Sequence, residues 1–376
     1  MASRWSLRSS STCLRRLRLL AACLLGVLSI PASYAIDPHR TISQYVRQRW
    51  GAESGLPKGP IYSINQTPDG YLWIGTERGL FRFDGLRFLP MPSGIPESPT
   101  LSHVLGLTVD GDGSLWARLR RPTLLRYRGS VFEDVLGKLG APSVNATAMG
   151  RAHDGSLMLW ALQGEPSAIV LRGEKFETVA APVGFSRSPV LAIAQTSDGS
   201  SWVGTRDVGL FRLRGSETIA ITKNLPDRKV NAIVSAGNDE LWIGTDAGIV
   251  RWDGEKLTKS GIPASLDGVQ ALSLAVDRDA NLWVGTNTRG LIRVNGYGVA
   301  SLVDPGGESN NAVTAIFEDR EGNIWIGSGG GLERLRDSTF VTYSLPEGVP
   351  TDGSNPIFAP RMAGSGSLRR LEGSGG

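Results

Sequence analysis

One motif recurs down this chain and limits what it can become. "DGYLWIGTERGLFRFDG" occupies residues 69–85, and close copies follow at 198–215, 238–254, 279–296 and 321–337. Two weaker copies, at 112–129 and 154–173, fill the interval after the first. The tryptophan slot of the motif is held in turn by Trp73, Trp116, Met158, Trp202, Trp242, Trp283 and Trp325, at intervals of 40 to 44 residues. Seven units at one period mark an array in which no unit buries its apolar faces alone.

Each unit reads as four short strands. Runs of alternating polarity such as "VTAI" (313–316) and "VNAI" (230–233) precede a turn of Asp-Gly type, whose residues accept the positive φ of a tight hairpin. A Leu-Trp-Ile-Gly-Thr strand comes next, then a glycine turn, a Leu-x-Arg strand, a second turn and an outer strand such as "LRFLPM" (86–91). The predicted fold class is therefore all-β, a seven-bladed β-propeller of four-stranded blades over residues 36–345. In such a fold the recurring aspartates and glycines make turns and the tryptophan wedges blade against blade. Gly75 and Thr76 are expected to keep their strand slim near the crowded axis. Residues 45–50 resemble an outer strand, and the "GAESGLPKGP" that follows the strand's tryptophan resembles a blade-to-blade loop. The N-terminal strand is thus expected to complete the last blade, with residues 340–343 as the competing choice.

The N-terminus has a different character. Arg15, Arg16 and Arg18 precede an apolar run at 19–30, and "PASYA" supplies Ser33 and Ala35 as the small residues of a signal-peptidase site. Residues 1–35 are expected to be a signal peptide cleaved after Ala35, which would place the protein in the periplasm or outside the cell. A lipoprotein box at "LAAC" (20–23) and an uncleaved anchor are the alternatives. Export also changes the charge. The 40 basic residues of the whole chain fall to 35 without the five arginines of the leader, against 36 acidic residues. The apparent basicity belongs to the leader, and no nucleic-acid partner is expected. Cys13 and Cys23 leave with it, so the exported domain would hold without disulfides.

Catalytic signatures are sparse. His39, His103 and His153 fall in separate units and do not form a zinc pattern. There is no phosphate loop, no GxSxG and no later apolar run long enough to cross a membrane. No metal, cofactor or catalytic residue is expected. A propeller enzyme acting on glycans, a glycosidase or lyase, is the alternative function, because the fold itself excludes no chemistry.

The block at 45–88 and the later "LWIGT…GL.R" copies resemble the two-component regulator propeller family. That resemblance implies a periplasmic ligand-sensing module of hybrid histidine kinases or sensor diguanylate cyclases, commonly with a second propeller, a β-sandwich, a membrane span and a cytoplasmic output domain. It covers nearly all of residues 42–345. Units two and three depart from it, with Arg118 where glycine belongs and Met158 where tryptophan belongs. The sequence has no kinase histidine box, ATP lid, receiver aspartate or GGDEF motif, so no output activity is expected of these residues.

In a propeller the second-to-third-strand loops and the inter-blade loops emerge on one face, a natural ligand surface. The longest of these loops is expected around residues 163–166. Arg78, Arg121, Arg206 and Arg289 are the candidate contacts and would suit an anionic or sugar-like ligand, a small molecule or an oligosaccharide; alternatively they are solvated loop charges. Association with other propeller or sensor domains is a further expectation. Residues 346–376 open an eighth unit and then turn irregular. Out of frame, the codons of "RMAGSGS" permit Asp-Gly-x-Val-Trp-Val, so the tail is expected to be a frameshifted remnant of a truncated sensor.

Overall fold

The structure is a computed structural model that describes residues 36–92, 101–120, 123–129, 131–138, 145–163, 165–172, 174–180, 188–302 and 312–337. Residues 1–35, expected to be a signal peptide, the competing strand at 340–343 and the tail at 346–376 lie outside the described residues.

Strand β1 (Val46–Trp50) comes first, and the blades follow. The first blade is β2 (Ile61–Gln66), β3 (Leu72–Thr76), β4 (Gly79–Phe83) and β5 (Phe88–Pro90). The second is β6 (Val104–Val109), β7 (Leu115–Leu119), β8 (Leu124–Arg128) and β9 (Val131–Asp134), and the third is β10 (Ala146–Arg151), β11 (Leu157–Gln163), β12 (Glu165–Arg172) and β13 (Lys175–Ala180). The fourth is β14 (Val190–Gln195), β15 (Ser201–Thr205), β16 (Leu210–Arg214) and β17 (Glu217–Ile221), and the fifth is β18 (Val230–Gly237), β19 (Glu240–Thr245), β20 (Gly248–Trp252) and β21 (Leu257–Thr258). The sixth is β22 (Ala271–Val276), β23 (Leu282–Thr286), β24 (Leu291–Asn295) and β25 (Gly298–Leu302). The seventh is β26 (Val313–Glu318), β27 (Ile324–Ser328) and β28 (Gly331–Arg336), completed by β1. Each blade is an antiparallel sheet of four strands, so the expected seven-bladed propeller is the observed fold.

Closure follows the N-terminal route. Val46 lies opposite Arg336 and Trp50 opposite Leu332, and the Trp50 ring stacks on Trp325 with centroids 5.3 Å apart. Tyr45, just ahead of the strand, is buried and donates from its hydroxyl to the Asp37 carbonyl at 2.7 Å. Burial pushes its phenol well above the usual range, against the pull of the Arg293 guanidinium beside it.

The core is divided among the seams. Seven apolar clusters each join one blade to the next. Trp73 packs with Leu107, Leu115 and Tyr127 of the second blade, and Trp283 packs with Ile324, Ile326 and Leu335 of the seventh. Five of the six motif tryptophans are buried outright, while Trp242 is partly buried against the sixth blade. Each of the six lies in a cluster shared with the following blade. In blade three the aromatic has moved two places along the strand. Met158 fills the outer slot, and Trp160, paired with Ala148, takes the position that Gly75, paired with Ser63, holds in blade one. Both are buried in one cluster with Val190 and Ile193 of blade four.

The inner strand of every blade carries the same irregularity. The register slips one residue after its first position, between Ile61 and Ser63 in blade one and between Val313 and Ala315 in blade seven, with equivalents in the five others. Such bulges bend and twist a strand, and here they accompany the tightest packing in the ring. A Cβ on Gly285 would stand 2.6 Å from the Val313 carbonyl oxygen of the next blade, and one on Gly327 would stand 2.6 Å from Ile61 Cγ2. Glycine in this slot lets the second strand of one blade close on the first strand of the next.

Candidate functional site

The face expected to bind ligand is built by one recurring turn. Thr76 ends β3 and donates its hydroxyl to the Gly79 carbonyl at 3.0 Å, and the Arg78 amide donates back to the same hydroxyl at 3.1 Å. Thr205, Thr245 and Thr286 repeat the bond to Gly209, Gly248 and Gly290. The motif threonine thus acts as the clasp of the second turn, a role separate from the slimness expected of Gly75 and Thr76. Inter-blade segments are tied to these turns: the His103 amide donates to the Glu77 carbonyl at 2.8 Å, Arg206 to Pro189 at 3.0 Å and Asn287 to Gln270 at 3.1 Å. Both kinds of loop therefore share one face.

Three of the four candidate arginines lie on this face. Arg78, Arg206 and Arg289 are exposed, on blades one, four and six. Arg289 is partly engaged, since its Nη1 donates to the Ser265 carbonyl at 2.7 Å. No contact joins any two of the three. Arg121 lies outside the described residues. The long loop expected at 163–166 takes another form. Leu162 pairs with Pro166 and Gln163 with Glu165, so the extra residues lengthen the β11–β12 hairpin. Apolar residues at Leu159, Ala161, Ala168 and Ile169 continue the strand pattern there, and loop counting from motif to motif does not register it.

A cleft of about 300 Å³ opens on the same face at the closure seam, between Gly290 and Leu291 of blade six and Trp50, Gly51, Gly331 and Leu332 of blade seven. Its charged wall holds Arg49, whose Nε donates to Glu333 at 3.1 Å, with Arg47 on the same carboxylate. Glu53 accepts from the Gly51 amide at 2.7 Å, and such backbone hydrogen bonds hold its carboxyl below the usual range. A smaller cleft of about 110 Å³ lies on the opposite face between blades two and three, with Asp110, Asp112, Asp154 and Arg126 on its wall.

The opposite face holds a network of which the sequence pattern shows only the turns. The residue six before the motif tryptophan accepts the indole Nε1–H: Trp116 to Asp110 at 2.7 Å, Trp283 to Asp277 at 2.8 Å and Trp325 to Asp319 at 2.7 Å. In blades one and four a threonine hydroxyl accepts the indole N–H and donates its own hydrogen bond to the turn aspartate, Trp73 to Thr67 to Asp69 and Trp202 to Thr196 to Asp198. The arginine of Leu-x-Arg covers the indole on the next strand. Arg126 lies 5.5 Å above Trp116, Arg251 5.6 Å above Trp242 and Arg334 5.4 Å above Trp325, a cation–π arrangement. The spacing of six, constant across these five blades, is the signal that would have found the acceptors.

The histidines stay apart. His39 lies against the Tyr297 ring at 4.1 Å, His103 is 3.7 Å from Glu77, and the His153 amide donates to Gln195. Among the described residues no group of three His, Cys, Asp or Glu could hold a metal ion, and no helix is long and apolar enough to cross a membrane.

Seven four-stranded blades, one completed by the N-terminal strand, make this chain a β-propeller. The family model of the two component regulator propeller matches residues 55–78 and 307–330. Among solved structures the chain is similar to the extracellular domain of a protein described as a hybrid two component system from B. thetaiotaomicron. The two share 24% identity with a TM-score of 0.66, over 80% of this chain and 43% of the other. A second such domain from B. thetaiotaomicron matches at 21% identity and TM-score 0.56, over 79% and 40%. This chain therefore spans less than half the length of either domain. Virginiamycin B lyase from Staphylococcus aureus is similar in fold at 14% identity and TM-score 0.61, over 77% and 99%. No curated protein sequence matches significantly.

Proposed function

We propose that this chain is an extracytoplasmic ligand-sensing propeller of a two-component-type receptor, delivered by a signal peptide at 1–35. The match of blades one and seven to the two component regulator propeller carries this reading, and the fold shared with extracellular domains of described hybrid systems supports it. The ligand is received on the face of the threonine-clasped turns, by Arg78, Arg121, Arg206 and Arg289 and the neighbouring cleft at the closure seam. Charge on this face selects an anionic or sugar-like molecule. The test is a glycan and small-acid library presented to the purified protein, with binding and product release followed together. Binding without turnover, weakened at least tenfold when all four arginines become alanine, is the expected result. Unchanged affinity in that variant removes the arginines from the site, and a released product replaces the sensor reading with an enzyme.

The enzyme reading has one observation in its favour, the fold shared with virginiamycin B lyase. The same library experiment separates the two.

A further inference from the structure

Arg118 stands where five of the seven blades carry glycine, and its surroundings are shaped to receive it. It sits near the end of β7, opposite Gly106 of the inner strand β6. A Cβ placed on Gly106 would lie 3.7 Å from Arg118 Nε and 4.0 Å from Nη2. Other blades carry serine or alanine at the Gly106 position, Ser63, Ala192 and Ser273 among them. The guanidinium therefore lies beside the space that a missing side chain leaves at Gly106, which it shares with the Met149 methyl, 3.5 Å from the same Cβ position. The next blade's inner strand opens on Ala146; the equivalent positions Ile61, Val104, Val190, Val230 and Val313 carry branched side chains, and Ala271 is again alanine. The seam responds. β6 and β10 are the most loosely joined of the seven neighbouring inner-strand pairs, and β7 does not close on β10 as β3 closes on β6.

This cation has no counter-ion among the described residues. Its Nε is shielded from solvent with no hydrogen-bond partner, and among the described residues no salt bridge reaches the side chain. Burial alone pushes the guanidinium down to about 10, with no carboxylate opposing. Arg120 stands exposed two residues on. A half-buried, unpaired charge has given up part of its hydration with nothing in return, and a guanidinium fork is matched by a carboxylate or a phosphate.

We infer that Arg118 is the anchor of an oxyanion-binding site at the axis between blades two and three, which takes a carboxylate- or phosphate-bearing small ligand. The site stands on the surroundings of Arg118 and does not depend on the sensing role. The exposed arginines of the turns lie on other blades and are not part of it.

The experiment is thermal unfolding of the full chain in chloride, inorganic phosphate or glucuronate at matched ionic strength. The proteins are wild type, Arg118→Met and Arg118→Gly, the last restoring the residue that five blades already accept. Ligand that binds only the folded state raises Tm saturably. The expected result is a rise of a few degrees for wild type with phosphate, glucuronate or both, and none for either variant. In chloride, both variants should melt at or above the wild-type temperature, because the uncompensated charge is gone. The anion that raises Tm identifies the source, free phosphate or an acidic sugar. No saturable rise in wild type, or the same rise in the variants, overturns the site. Variants that melt below wild type in chloride and keep its anion response make Arg118 a structural residue.

Discussion

At the scale of single residues, the blade is stabilised by acceptors placed beneath its tryptophans. Asp277 is buried and receives the Trp283 indole, the Asn281 amide and side chain and the Asp279 amide. Asp277→Ala leaves several buried donors unanswered, at about 1–3 kcal/mol for each that stays dry. A loss of about 3 kcal/mol in urea unfolding is expected, against little change for Asp253→Ala in an exposed turn. Asp198 gives a pH signature. Burial opposes its ionisation, but donors from Thr196, the Ser200 amide and hydroxyl, and Arg212 outweigh burial and hold the carboxyl well below its usual range. A lowered native pKa stabilises the fold above the ordinary carboxylate value of about 4, and that stability is lost as pH falls through the native one. Asp198→Asn should therefore be less stable than wild type at pH 7 by about 1–2 kcal/mol. The gap should narrow below about pH 4 in urea titrations. A gap that widens in acid would contradict this account. The sequence made these aspartates visible as turn formers, because the Asp-Gly signal is local. Their service to an indole six residues on depends on how the strand turns back.

At the scale of the element, the second strand is where blades differ and where sequence reading was partly blind. The Leu-Trp-Ile-Gly-Thr pattern located five such strands because spacing and residue type agree there. Blade three shows why the pattern can fail without the fold failing: Trp160 and Met158 exchange roles along one face of β11, two residues apart, and a period-two strand tolerates that shift. The hairpin of β11 and β12 was missed for a related reason, since added residues that continue the alternation extend strands. Gly285→Ala tests the closeness of approach. The new methyl would meet Ser273 Oγ and the Val313 carbonyl and Cγ1 at less than 3 Å, and overpacking of this kind costs about 1–3 kcal/mol. A chemical-denaturation midpoint equal to wild type would show that the seam gives way freely.

At the scale of the whole molecule, period and strand count made the ring legible, since units that bury their faces only against neighbours must close or cap. Closure by β1 was legible too, from the outer-strand look of residues 45–50. The axial arginine was visible as an exception in the glycine slot, but its lack of a counter-ion needed three dimensions. Trp50 bears much of the closure, stacked on Trp325 and edge-on to Phe83. Trp50→Ala should cost about 3–5 kcal/mol, with a single cooperative loss of structure by circular dichroism if the ring opens as a unit. The direction of that seam has a mechanical meaning. β1 and β28 run antiparallel, so Val46, where the chain enters the ring, faces Arg336, where the last described strand leaves it. Tension applied at those two points pulls across the ladder from one end, and its hydrogen bonds break in succession, as the teeth of a zipper separate. The same tension along the strands would load them all together in shear. The ring is therefore weakest to force at the place where it is joined.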